Sequence, residues 1–106
     1  MFVVMNRISV NPDFNDAFIE SFGDRSALVD KMPGFVSFQL MQPVAPDDPF
    51  IVMTVWADKA AFDAWTESDA FKQGHARAGQ LPPEAFRGRP VLESFEMITN
   101  ASAGEI

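Results

Sequence analysis

The run Phe50-Ile51-Val52-Met53-Thr54-Val55-Trp56 limits the possible folds more than any other stretch, because it is apolar almost throughout and lies between Pro49 and Asp58. It is too short for an ordinary helix and rich in β-branched and aromatic side chains, so it reads as a strand. A strand without polar alternation has no wet face and must be covered on both sides. The chain therefore needs helices against one face of its sheet and another apolar surface against the other.

Turn and cap residues place the remaining elements. Residues 2–10 read as a first strand, which Asn11-Pro12-Asp13 ends with helix-start chemistry: a side-chain cap, a proline tolerated in the first turn and an acid near the positive end. The predicted helix runs to about Lys31, with Phe14, Phe18, Phe22, Val29 and Met32 recurring near helical spacing. Gly23 weakens its middle without ending it. Pro33-Gly34 is a turn, residues 35–42 form a second strand, and the proline-rich loop 43–49 leads into the third. Asp58 caps a helix carrying Phe62 and Trp65, and Ser68 caps a shorter one carrying Phe71 and His75. A long loop reaches to about Pro90, and residues 91–99 make the last strand.

The order β-α-β-β-α-β predicts an α+β fold of ferredoxin-like type, one four-stranded antiparallel sheet with helices on a single face. The second apolar side of strand three is expected to pack against another copy of the chain, giving a homodimer with facing sheets, a dimeric α+β barrel. Ser37, Gln39, Ser94 and Glu96 leave a monomer with a partly wet outer face open. A length of 106 residues suits one domain over residues 1–100, followed by a flexible tail at 101–106.

Composition removes several function classes. No apolar stretch approaches the roughly 18–20 residues that span a bilayer, and Met1-Phe2-Val3-Val4-Met5 lacks a basic region and a cleavage site. The expectation is a soluble, cytoplasmic protein. A net charge of −7 argues against nucleic acid or an anionic membrane as partner. The absence of cysteine excludes disulfides and thiolate-held metals. One stretch runs against the acidic trend: residues 70–92 carry Lys72, Arg77, Arg87 and Arg89 against Glu84 alone, where an anionic ligand would be favoured over the rest of the chain.

Three residues stand out. In strand one the even positions read Phe2, Val4, Asn6, Ile8, Val10, so Asn6 interrupts an apolar row. A buried amide needs partners, either across the sheet or from a ligand. His75 is the only histidine, which rules out a multi-imidazole zinc site, and no nucleophile elbow, P-loop or dinucleotide fingerprint accompanies it. Taken alone it reads as a surface or satisfied core residue, and Trp65 as a core aromatic. Ten residues of continuous helix would set the two about 15 Å apart along the axis, whereas a break at Ser68 can bring them to one cavity.

The motifs Asn6-Arg7-Ile8-Ser9-Val10, Pro33-Gly34-Phe35, Thr54-Val55-Trp56 and Phe62-Asp63-Ala64-Trp65-Thr66-Glu67-Ser68-Asp69-Ala70-Phe71-Lys72-Gln73-Gly74-His75 resemble those of the IsdG-type haem-degrading monooxygenases of the antibiotic biosynthesis monooxygenase superfamily. Pro-Gly-Phe and Thr-Val-Trp belong to the superfamily at large and speak only for the fold; the Asn, Trp and His combination is more specific. The resemblance implies that His75 is the haem iron ligand, Asn6 a hydrogen-bonding group at the oxygen site, and Trp65 a wall that distorts the porphyrin. It implies oxidative ring opening with O2 and release of iron. With no nucleotide or flavin motif in the chain, the electrons come from a reductase or small external reductant. Without cysteine the haem is held non-covalently. Arg77, Arg87 and Arg89 are the candidates for pairing its propionates, on the chemistry of guanidinium and carboxylate, since the loop 76–90 has a sequence of its own. Two other readings stay open: a cofactor-independent oxygenase of a polyaromatic substrate, and a haem carrier without catalysis.

Overall fold

A computed structural model of the protein describes residues 1–23, 29–72 and 81–104. The apolar run forms a strand as its composition demands, Phe50–Trp56, and it lies inside a four-stranded antiparallel sheet rather than at an edge. Numbering the strands β1 (Phe2–Ile8), β2 (Phe35–Met41), β3 (Phe50–Trp56) and β4 (Val91–Glu96), the order across the sheet is β2-β3-β1-β4. The two most apolar strands occupy the centre, where both of their edges are hydrogen-bonded. This is the ferredoxin-like α+β arrangement.

Register decides what each face carries. Phe2, Val4, Asn6 and Ile8 stand opposite Trp56, Thr54, Val52 and Phe50, and the helices cover this side: Phe18 of α1 (Asn15–Glu20) meets Phe50, while Trp65 of α2 (Lys59–Thr66) meets Trp56. On the other side lie Val3, Met5, Ile51, Met53 and Val55, extended toward the edges by Met41, Val91 and Phe95. Ser37 and Gln39 share this outer face, but Ser94 and Glu96 stand opposite Val4 and Phe2 on the helix side, where the edge strand outruns its cover.

A bulge between Phe35 and Ser37 changes the register of β2. Simple alternation would send Phe35 and Phe38 to opposite faces; the extra residue turns both toward the helices, opposite Trp56 and Thr54. Val36 is left exposed by the same step.

The caps act as the sequence predicts. Asn11 accepts a hydrogen bond from the Asp13 amide at the start of a short 3₁₀ turn, Pro12–Phe14, and Asp58 accepts from the Ala61 amide at the start of α2. Gly34 has φ +82°, and a Cβ there would lie 2.5 Å from the Ala61 Cβ, so this turn requires glycine for both conformation and space. The helix expected to reach Lys31 differs. The first run of regular α-helix ends at Glu20, because the Ser21 hydroxyl donates to the Phe18 carbonyl and the next amides, of Phe22 and Gly23, bond three residues back; Val29 is α-helical again. Residues 24–28 lie outside the described residues. β4 likewise stops at Glu96, short of Thr99, since its pairing with β1 ends at Phe2. No helix among the described residues is long and apolar enough to cross a membrane.

Candidate functional site

Between the sheet and α2 the packing is incomplete. A cavity of about 300 Å³ opens there, floored by Val4 and Asn6 of β1 and by Val52 and Thr54 of β3. Phe62, Trp65 and Phe71 roof it, Phe38 closes one flank, and Pro90 and Leu92 stand at the other. The surface is overwhelmingly apolar and aromatic, the usual character of a small-molecule site.

Three of the lining residues are polar, Asn6, Thr54 and Thr66, and Trp65 adds an indole N–H. Asn6 Oδ1 and Trp65 Nε1 are both shut off from solvent and, among the described residues, both lack a hydrogen-bond partner. Asn6 has Val52 and Leu92 directly opposite it, so neither cross-strand partner offers its side chain a polar group. Leaving a buried donor or acceptor unpaired costs about 1–3 kcal/mol, and nearly all such groups in folded proteins are paired. The two orphaned atoms belong to residues that line one cavity.

Trp65 is held rigidly. Its ring stands edge-on to Phe71 at 4.8 Å and lies 5.5 Å from Trp56. The break that the sequence places after it is present: the Ser68 hydroxyl donates to the Trp65 carbonyl at 2.6 Å and accepts from the Phe71 amide, closing α2 and opening the helical residues 69–72. That reversal carries Phe71 back onto Trp65.

The other candidates separate. His75 and Arg77 lie outside the described residues. Arg87 donates to an Asp47 carboxylate oxygen at 3.3 Å and to the Pro46 carbonyl at 3.0 Å, which ties the loop before β3 to the loop before β4. Arg89 is exposed beside Pro90, at the flank of the cavity. Sequence reasoning missed Thr54, Phe38 and Leu92 as lining residues. Thr54 carried a usable signal, a hydroxyl in the even row of an apolar strand; Phe38 carried none, because only the bulge turns it inward.

Residues 1–77 match the family model for antibiotic biosynthesis monooxygenase. A heme oxygenase (mycobilin-producing) of Mycobacterium tuberculosis is 32% identical over 96 residues, covering 91% of this chain and 88% of the relative. The crystal structure of the heme-degrader MhuD of Mycobacterium tuberculosis, with two hemes bound in its active site, superposes with a TM-score of 0.76 at 29% identity, covering 96% of this chain and all of that one. SnoaB, a cofactor-independent oxygenase of Streptomyces nogalater, shares the fold with a TM-score of 0.75 at 21% identity, over 93% of this chain and 94% of that one.

Proposed function

Because the chain belongs to the antibiotic biosynthesis monooxygenase family, we propose that it is a haem-degrading monooxygenase acting in the cavity between β1, β3 and α2. The observation that carries this reading is a pair of buried polar atoms without partners among the described residues, Asn6 Oδ1 and Trp65 Nε1, on residues that line a slot of aromatic and aliphatic side chains. A flat apolar macrocycle suits such a slot. Haem is the substrate, and its iron supplies the activation of O2 when it is bound.

The chain's own residues have distinct tasks. His75 would ligate the iron of bound haem. Asn6 offers an amide, donor and acceptor together, to the oxygen site. Trp65, wedged between Trp56 and Phe71, presses on the ring from a position it cannot easily leave. Arg89 pairs a propionate at the cavity flank, and Arg77 is a further candidate. Electrons come from an external reductase or small reductant. The active form is a homodimer in a cytoplasmic setting, with a second copy covering the outer face, where Val3, Met5, Met53, Val55 and Phe95 lie beside the Arg7–Glu93 ion pair.

Titration with ferric haem is expected to shift the Soret band of the purified protein, and His75→Ala to abolish that shift. Under ascorbate and air the bound haem is expected to disappear with growth of a bile-pigment absorbance. Binding without loss of the Soret band would make the protein a haem carrier. No binding would leave the cofactor-independent reading.

A further inference from the structure

Thr54 is a buried polar residue, only 5% exposed, among core positions that are otherwise apolar. It faces the cavity from the middle of β3, directly opposite Val4 on β1 and Phe38 on β2. Asn6 is its diagonal neighbour on the same face, about 7–8 Å away at the backbone.

A hydroxyl has one proton to donate and two lone pairs to offer. The Trp56 Nε1–H donates to Thr54 Oγ1 at 2.9 Å, which engages a lone pair and turns the hydroxyl proton away from Trp56. Trp56 is fully buried between Phe35, Phe62 and Trp65, so its N–H has no other direction in which to relax. The Thr54 proton has no acceptor among the described residues. The lining side-chain oxygens nearest in kind are Asn6 Oδ1, which is itself unpartnered, and Thr66 Oγ1, which donates to the Asp63 carbonyl.

We infer that the Thr54 hydroxyl donates a hydrogen bond to an acceptor atom of the molecule bound in the cavity, with Trp56 fixing the direction of its proton. The cavity floor then presents two polar contacts on adjacent strands, the Asn6 amide and the Thr54 donor, under an aromatic roof. The ligand this fits is a planar ring system bearing an acceptor. The choice of haem as that ligand rests on the function proposed above; the donor assignment rests on Thr54, Trp56 and the cavity.

The test uses the whole protein and four variants: Thr54→Val, Thr54→Ser, Trp56→Phe, and Thr54→Val combined with Trp56→Phe. The double variant removes the indole N–H together with its acceptor, so no group is left unpaired by the loss of the hydroxyl. It keeps the test available if Thr54→Val alone fails to fold. Each protein is titrated with ferric haem, and the loaded protein with azide, an acceptor anion. The expected result is a loss of about three- to tenfold in haem or azide affinity on Thr54→Val in both backgrounds, with Thr54→Ser near the parent. If Thr54 serves only as the acceptor for Trp56, the change costs nothing in the Trp56→Phe background, and the inference is overturned. A parent that takes up no haem overturns the haem reading alone. The same proteins are then titrated with anthraquinone, an apolar planar ring with carbonyl acceptors. The same loss with the same serine rescue supports the donor assignment, while unchanged affinity, or no uptake by the parent, overturns it.

Discussion

The two ends of the sheet–helix interface are packed to different standards. At one end Ile8, Val10, Phe18, Phe22 and Phe50 close on one another, with Phe18 meeting Phe22 at 5.0 Å and Phe50 at 4.9 Å in edge-to-face contacts. Phe14, Leu40, Leu81 and Phe86 pack around this cluster, and Phe50 is 1% exposed. At the other end Phe2, Val4, Trp56 and Trp65 belong to a cluster of comparable aromatic content, yet a cavity remains beside it and two buried polar atoms are unpaired among the described residues. The difference is clearest in the two indoles, 5.5 Å apart: Trp56 gives its N–H to Thr54, whereas the N–H of Trp65 has no acceptor among the described residues. The phenylalanine end holds the fold together. The tryptophan end sacrifices some of that stability for a place where a ligand can complete the packing.

The largest expected effect lies at the closed end. Phe50→Ala removes a fully enclosed ring and is expected to cost about 3–5 kcal/mol in urea unfolding. The same measurement on Asn6→Leu is expected to run the other way. A side chain of similar size that lacks the orphaned oxygen should leave stability unchanged or raise it by about 1–2 kcal/mol, while haem loss under ascorbate and air slows at least about tenfold, the scale of a lost hydrogen bond to a charged centre. A destabilised Asn6→Leu would mean that the amide is satisfied within the fold, and the contrast between the two ends would lose its functional meaning.

Much of this contrast can be read from residues alone, and the part that cannot has a physical cause. Asn6 is visible because strand alternation is strictly twofold, and a polar side chain in an apolar row is conspicuous. Asn11, Asp58 and Ser68 are visible because capping is local chemistry completed within three residues. The bulge in β2 is not, since it follows from how Phe35 and Phe38 pack against Trp56 and the cavity, a tertiary event, and the Pro33-Gly34 pair before it signals only the turn. The early end of α1 is a competition between Ser21 and the helix ladder that spacing alone does not decide. Thr54 passes as part of a strand motif until Trp56 is seen to fix its lone pair. For His75 the residues by themselves suggest nothing beyond a lone imidazole, and its assignment as iron ligand rests on the family.

The smallest effects sharpen the same comparison at the cavity's edge, where two arginines stand two residues apart. Arg87 is committed to Asp47 and the Pro46 carbonyl, an ion pair whose acidic side chain is 96% exposed. Exposed pairs of this kind contribute about 0.2–1 kcal/mol, so Arg87→Ala is expected to lower stability by no more than that. Its haem affinity should barely change, because the guanidinium serves the loops. Arg89, exposed beside the cavity-lining Pro90, has the opposite expectation. Arg89→Ala should leave the unfolding midpoint in place and weaken haem binding about two- to fivefold, more at low salt than at high, as a screened propionate contact would. Equal losses in both variants would show that the basic stretch acts through its summed charge, and neither arginine would then have a separate task.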